Sequence, residues 1–202
     1  DLSHLLEDLD LPGNSWLIDM PGNGSNTIDR DTTNYDDWIA MLPSVVQSFE
    51  NPVYIGHSFG AMIAMLNPSL EQYLKGCIFL NSAPSFWEEE SQKFIQQLDM
   101  PDISEARAQY IADPTDAHLD ALIEHSLPTY VATHAIDKAR RLLKDNCFAK
   151  TPPVWWRNKA SSTPYNATWV PETLQTLIIS GDRDCIVPYT LFSADKRFER
   201  PN

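Results

Sequence analysis

The feature that most constrains the fold is the segment from Pro52 to Ala64, which reads PVYIGHSFGAMIA. It predicts a short apolar strand, a Gly-x-Ser-x-Gly turn and the start of a helix. A sharp turn of this kind holds its serine clear of the backbone in strained dihedral angles. The segment therefore makes Ser58 the leading candidate for a nucleophile and indicates acyl-transfer or hydrolytic chemistry.

Three residues around this serine have expected roles in the turn. Gly56 and Gly60 lack a β-carbon, so we expect them to relieve crowding two residues before and two residues after the serine. The N–H of Phe59, at the positive end of the following helix, is expected to donate to a developing oxyanion. An ordinary glycine turn is the alternative, and the strand–turn–helix setting disfavours it.

Composition limits the class of protein and its partners. The 202 residues suffice for one substantial domain, and 43% of them are hydrophobic. The formal net charge of −13 argues against nucleic acid and anionic membranes as partners. No stretch of the sequence is long and apolar enough to span a membrane. A small-molecule substrate is the expected partner, and the sequence does not indicate an oligomeric state.

The three cysteines, Cys77, Cys147 and Cys185, are odd in number and far apart. Cys77 and Cys185 lie in or beside apolar, strand-like runs, which predicts buried free thiols rather than a disulfide framework. Free thiols favour a reducing compartment, so we expect a cytoplasmic protein. No Cys/His cluster has the spacing of a zinc site, and the sequence implies no metal and no organic cofactor.

Short apolar strands alternate with helices along the chain, which predicts an α/β fold: a mostly parallel sheet with helices on both faces. A helix is expected over 35–49, with Pro43 as a kink. Strands are expected over 15–19, 53–55, 77–81 and 174–180. Polar and glycine-rich segments follow these strands, and functional loops of such sheets gather at the carboxyl ends of the strands.

Four helices, instead of one crossover, separate the last two predicted strands. They are expected over 91–98, 104–112, 116–125 and 130–145. Because four helices are too many for a simple βαβ unit, we predict a helical cap inserted between two strands of the sheet. The predicted organisation is a first part of the core over 1–84, the cap over 85–170 and a second part of the core over 171–202.

Three segments, in the same order, resemble the α/β-hydrolase superfamily. Residues 19–25 (DMPGNGS) are similar to the family's D-x-P-G-x-G-x-S loop, with the final serine one position early. Residues 56–60 (GHSFG) match the nucleophile elbow of the family. Residues 177–188 (LIISGDRDCIVP) are similar to its strand and G-x-x-D-x-x-V-P acid loop. The predicted cap agrees with the lid-bearing serine hydrolases, the proline iminopeptidase- and esterase-like branch.

The resemblance implies a catalytic triad with Ser58 as nucleophile and Asp184 as acid, which orients a histidine and stabilises its imidazolium form. Asp182 is the competing carboxylate, and the family pattern favours Asp184 because it is three residues after Gly181. For both carboxylates, the alternative is a loop residue that caps the helix beginning near Pro188.

The family order is Ser, Asp, His, but no histidine follows Asp184 in this sequence. His57 adjoins the nucleophile, and we expect it to pack beside the site in the substrate pocket rather than to act as the base. A histidine of the cap acting as the base would break the family order. The loop for a second oxyanion donor is also not found. We therefore expect the 202 residues to be an internal fragment that is inactive as it stands.

Aromatic residues of the cap and its approach are candidates for an apolar substrate pocket. They are Phe86, Trp87, Trp155 and Trp156. An equally good alternative is that they form the core of the cap. Glu88, Glu89 and Glu90 follow directly, and the bland interpretation of these three is a solvated helix N-terminus.

Three functions remain open on this evidence. The first is a serine hydrolase that cleaves a small carboxylic ester, thioester or amide through an acyl-enzyme at Ser58. The second is a proline iminopeptidase-like aminopeptidase, in which glutamates of the cap hold the amino group of the substrate. The third is a non-catalytic binding protein that keeps the same fold and pocket.

Overall fold

A computed structural model of the chain describes residues 11–21, 25–26, 35–144 and 163–199. Its strands are β1 (Val53–His57), β2 (Gly76–Leu80) and β3 (Gln175–Ile179). Its α-helices are α1 (Tyr35–Gln47), α2 (Phe59–Ala64), α3 (Glu88–Gln97), α4 (Ser104–Ala112), α5 (Asp116–Tyr130), α6 (Ile136–Lys144) and α7 (Thr190–Ser193). Short 3₁₀ turns are Pro68–Gln72, Thr133–Ala135 and Lys196–Phe198.

The three described strands form one parallel sheet in the order β1-β2-β3. The register pairs His57 with Leu80 and Leu80 with Ile179, so all three strands end at the same level. The segments that follow them, which contain Ser58, Asn81 and Asp184, therefore leave the sheet at one edge. This edge is where a parallel sheet builds its functional loops.

The core lies between the sheet and the helices that flank β1. The middle strand is the most buried, with Phe79 fully enclosed. Apolar residues of α1 and α2 at helical spacing pack against it, in agreement with the predicted amphipathic helix over 35–49. The main cluster includes Ile39, Leu42, Val46, Ala61, Ile63, Ala64, Met65, Leu70, Leu74, Cys77 and Phe79.

Within the described residues, four helices, α3 to α6, lie between β2 and β3 in the sequence, in the segment predicted as the cap. The two ends of this insertion are bonded to each other. Ser85 and Asn166 form an antiparallel bridge, and the Phe86 N–H donates to the Tyr165 carbonyl at 2.9 Å. The α4 helix begins and ends where predicted, whereas α5 is five residues longer. The division at 84/85 and 170/171 into core and cap remains a prediction.

The strand predicted over 15–19 is wrong, because residues 14–20 have no strand structure. A strand exists only where its backbone pairs with a neighbour, and within the described ranges β1, β2 and β3 pair only with one another. The Trp16 side chain is 68% exposed, and its ring lies 5.5 Å from that of Phe49.

Two of the cysteine predictions are confirmed, since Cys77 and Cys185 are buried free thiols. Cys147 lies outside the described residues. No helix in the described part of the chain combines the length and the apolar character needed to cross a bilayer.

Candidate active site

Ser58 lies between the end of β1 and the start of α2, with φ 49° and ψ −119°. Residues other than glycine rarely adopt a positive φ, and such strain costs on the order of 1–3 kcal/mol. Two contacts hold Ser58 there. Its N–H donates to the Leu80 carbonyl at 2.9 Å, and its carbonyl accepts from the Ser82 hydroxyl at 2.9 Å. The end of β2 therefore fixes the backbone of the candidate nucleophile.

Gly56 is the point of closest approach between β1 and α2. A β-carbon added there would lie 2.7 Å from backbone atoms of Ala61 and 2.8 Å from the Tyr54 ring. At Gly60 the nearest atom to such a β-carbon is the Tyr54 hydroxyl, at 4.0 Å. The expected relief of crowding is confirmed for Gly56 and is wrong for Gly60, because the second position already lies clear of its neighbours.

Tyr54, which the sequence pattern does not single out, links the strand to the helix across the turn. Its hydroxyl donates to the Gly60 carbonyl at 2.7 Å. Burial raises the pKa of the Tyr54 phenol, so the hydroxyl keeps its proton across the ordinary pH range. Its aromatic character and its position on the elbow strand, four residues before the serine, were the only signals available in the sequence.

Asp184 is half-buried in the loop after β3. Its Oδ1 accepts hydrogen bonds from the N–H groups of Ile186 and Val187, each at 2.9 Å. Its Oδ2 accepts one from the Asn81 side-chain amide at 2.7 Å. The competing carboxylate, Asp182, is exposed. Of the two, Asp184 has the fixed orientation that the acid of a triad requires.

The local bonds of Asp184 also agree with the alternative of a loop-capping carboxylate, since a carboxylate that bonds N–H groups two and three residues ahead stabilises a turn. The contact with Asn81 is different in kind, because it joins residues 103 positions apart. It brings the end of β2 to the same carboxylate. Asn81 is thus a second residue of the candidate site that the sequence analysis missed, since the sequence predicted it only as the last residue of the strand over 77–81, which ends at Leu80 in the structure.

His57, the last residue of β1, is exposed but lies near Asp184. Desolvation of its ring lowers the pKa of His57, and the negative charge of Asp184 acts in the opposite direction. Among the described residues, no hydrogen bond or ion pair joins His57 to Asp184, so the charge of Asp184 is the one interaction found between these two predicted site residues.

Two histidines of the helical insertion, His118 and His125, have local contacts. The His118 ring nitrogen Nδ1 lies 2.7 Å from the Asp113 carbonyl. The corresponding atom of His125 lies 2.7 Å from the Ala121 carbonyl, within its own helix. His118 is half-buried and His125 is exposed, and the contacts of both rings stay within the segment that carries them.

Phe59 is the first residue of α2, so its N–H follows the candidate nucleophile at the helix N-terminus. The phenyl ring packs against both hydrophobic clusters of the described chain. The helix dipole adds positive potential at this end. The position is the one expected for an oxyanion donor, a role that stays a prediction.

A cavity of about 1000 Å³ lies among α3, α4 and α5. Phe86 and Trp87 line it, with their ring centroids 5.5 Å apart, so the structure brings these two predicted pocket residues together. Ser58 and His57 are not among the lining residues. The cavity meets the site through Ile186, which lines it and also donates its N–H to Asp184.

The remaining predicted pocket residues, Trp155 and Trp156, lie outside the described residues. The loop that resembles D-x-P-G-x-G is described only at its two ends. There, the Ser25 N–H and hydroxyl both donate to Asp19 Oδ2, at 2.8 and 2.9 Å. The early serine of the motif thus closes the loop onto its first carboxylate.

Comparison with known proteins finds a family match. The model of a family described as the alpha/beta hydrolase family matches residues 3–200. No curated protein and no solved structure matches the chain.

Proposed function

The chain belongs to the alpha/beta hydrolase family, and from this membership we propose that it is a serine hydrolase. The proposed reaction is cleavage of a small carboxylic ester, thioester or amide through an acyl-enzyme at Ser58. The observation that carries the proposal is the strained Ser58 backbone, φ 49°, held at the sheet edge where the Asp184 loop also lies. Backbone strain of this kind is retained where a function needs it.

In the proposed mechanism, Ser58 Oγ attacks the carbonyl carbon of the substrate while a base removes its proton. The N–H of Phe59 stabilises the resulting oxyanion. The bond to the leaving group then breaks, the base returns the proton to that group, and water hydrolyses the acyl-enzyme by the same steps. Asp184 is proposed to orient the base. Residues 185–202 contain no histidine, so the base is not assigned to a residue of this sequence.

We propose the cavity lined by Phe86 and Trp87 as the site of the acyl or leaving group. Its volume of about 1000 Å³ is at the upper end of the range for small-molecule pockets. The cavity is lined by aromatic and aliphatic side chains together with polar and charged ones, which include Glu88, Asp99, Asp102 and Arg107. This mixed lining offers both apolar and polar contacts to a substrate of moderate size. The small-molecule partner and the cap that would hold it are parts of this proposal.

The aminopeptidase alternative needs carboxylates of α3 that are available to a substrate amino group. In the structure, Glu89 and Glu90 both form ion pairs with Lys93, at 3.0 and 2.7 Å. Glu88 lines the cavity, but its carboxylate bonds the Arg107 guanidinium. Since all three carboxylates already have cationic partners, the ester, thioester or amide substrate is the better supported of the two.

The test uses the full natural chain that carries these residues, treated with a fluorophosphonate probe. We expect covalent labelling at Ser58, lost in Ser58→Ala, and hydrolysis of p-nitrophenyl butyrate reduced about a thousandfold or more by that substitution. Hydrolysis of proline naphthylamide but not of butyrate esters would support the aminopeptidase. No labelling at Ser58 would leave the non-catalytic binding protein as the better explanation.

A further inference from the structure

Asn81 is held in an unusual backbone conformation directly beside Asp184. It follows β2 with φ 41°, in the left-handed region that asparagine tolerates better than most residues. Its N–H donates to the Ile179 carbonyl at 2.8 Å, which ties the end of β2 to the end of β3. The side chain is thereby directed to the acid loop, where its amide donates to Asp184 Oδ2 at 2.7 Å.

The chemistry of an amide suits this position. Asp184 Oδ1 accepts from the N–H groups of Ile186 and Val187, and Asn81 is the partner found for Oδ2 among the described residues. A carboxylate oxygen accepts more than one hydrogen bond, which leaves Oδ2 able to accept from a base as well. Because the amide is uncharged, it fixes the carboxylate without neutralising the negative charge that a triad acid supplies.

We propose that Asn81 is a positioning residue, which holds Asp184 in the orientation that its partner base requires. This inference rests on the proposed function, because Asp184 acts as an acid only if Ser58 is a nucleophile. Asn81 acts through Asp184 and not on the substrate. Its loss is therefore expected to lower kcat and to leave KM nearly unchanged.

Two substitutions separate this role from a purely structural one. Asn81→Gly keeps a residue that adopts positive φ freely and removes only the amide. We expect kcat for p-nitrophenyl butyrate to fall about tenfold or more, the effect of losing a hydrogen bond to a charged group. Asn81→Asp keeps the shape and places two carboxylates at hydrogen-bond distance, which must then share a proton. We expect the acidic limb of its kcat/KM profile to move to higher pH.

Asn51 provides the matched control, since it is an exposed asparagine with φ 52° at the opposite end of β1. Asn51→Gly makes the same chemical change on the same type of backbone and should leave kcat and the pH profile at their wild-type values. Each variant is first compared by thermal unfolding, and rates are expressed per site titrated with the fluorophosphonate.

The experiment distinguishes failure of this inference from failure of the proposed function. If the wild-type full chain is labelled at Ser58 but both Asn81 variants keep its kcat and pH profile, the positioning role is overturned and the proposed function stands. A lower melting temperature with unchanged kcat per labelled site would also overturn it, since that is the result of a structural role. If the wild type itself is not labelled, the proposed function fails and the positioning role fails with it.

Discussion

At the residue scale, a few hydrogen bonds and close contacts determine which substitutions the turn around Ser58 tolerates. The Ser58 backbone donates a hydrogen bond to Leu80 and accepts one from Ser82, and the close packing at Gly56 leaves no room for a β-carbon. The Gly-x-Ser-x-Gly pattern predicted the turn and its serine correctly. It could not show that the two glycines differ, because that difference depends on where the helix places Ala61 and the strand places Tyr54.

The two glycines provide a matched pair for a test of the turn. Gly56→Ala is expected to lower the free energy of unfolding by about 1–3 kcal/mol, because its β-carbon overlaps the Ala61 backbone. Gly60→Ala meets no atom closer than 4.0 Å and should leave stability unchanged or raise it by up to about 1 kcal/mol through helix propensity. Urea denaturation measures both. Equal losses in the two variants would contradict this assignment of the crowding.

At the scale of elements, one carboxylate fixes the segment that leads into β3. Glu71, in the 3₁₀ turn Pro68–Gln72, accepts from the Trp169 indole at 2.8 Å and from the Thr173 N–H at 2.7 Å. The Thr173 hydroxyl and the N–H groups of Glu172 and Leu174 bond the same carboxylate. This single side chain thus sets where the third strand begins.

The pH dependence of stability follows from Glu71. Partial burial acts to raise the pKa of its carboxyl, but hydrogen bonds from Thr173, Trp169 and Glu172 outweigh burial and lower the pKa to about 2 from 4.5. A depressed pKa in the folded state stabilises the fold above the unfolded value, and this stability is lost as the pH falls from 4.5 towards 2. We expect a loss of order 1–3 kcal/mol after allowance for solvent screening.

Glu71→Gln isolates this contribution. The variant should be less stable than wild type at pH 7 and should lose less stability between pH 5 and about 3, since the titrating group is gone. The measurement is the urea midpoint as a function of pH. Glu50→Gln, an exposed glutamate, controls for the removal of one negative charge. Parallel wild-type and Glu71→Gln curves would show that another group is responsible.

Strands and helices were easier to predict from the sequence than the pairing of one strand with another. The strands of the sheet and the helix α4 were visible as apolar runs and helical spacing, because these signals are local. The contact of Asn81 with Asp184 was not visible. It depends on β2 lying between β1 and β3, a pairing order that no local pattern encodes. The strand predicted over 15–19 failed for the same reason, since an apolar run becomes a strand only beside a partner.

At the scale of the whole molecule, the sequence carries the proposed nucleophile and the proposed acid in family order but no histidine after Asp184. We therefore expect the purified 202-residue chain to show no measurable turnover of p-nitrophenyl esters. The assay compares it with its Ser58→Ala variant and with buffer. Turnover that Ser58→Ala abolishes would contradict this expectation. In that case His57, the histidine placed near Asp184, becomes the first residue to replace.

Residues 80–82, at the end of the middle strand, contact both the proposed nucleophile, Ser58, and the proposed acid, Asp184. Leu80 and Ser82 bond the backbone of Ser58, and Asn81, between them, bonds Asp184. Residues 80–82 therefore link the proposed nucleophile to the proposed acid, so the positions of these two residues are coupled through one short segment. Leu80 acts through its backbone carbonyl, which any residue at this position supplies, whereas Asn81 and Ser82 act through their side chains. Replacing these two neighbouring side chains together would therefore remove one contact to Ser58 and one contact to Asp184 from a single short segment.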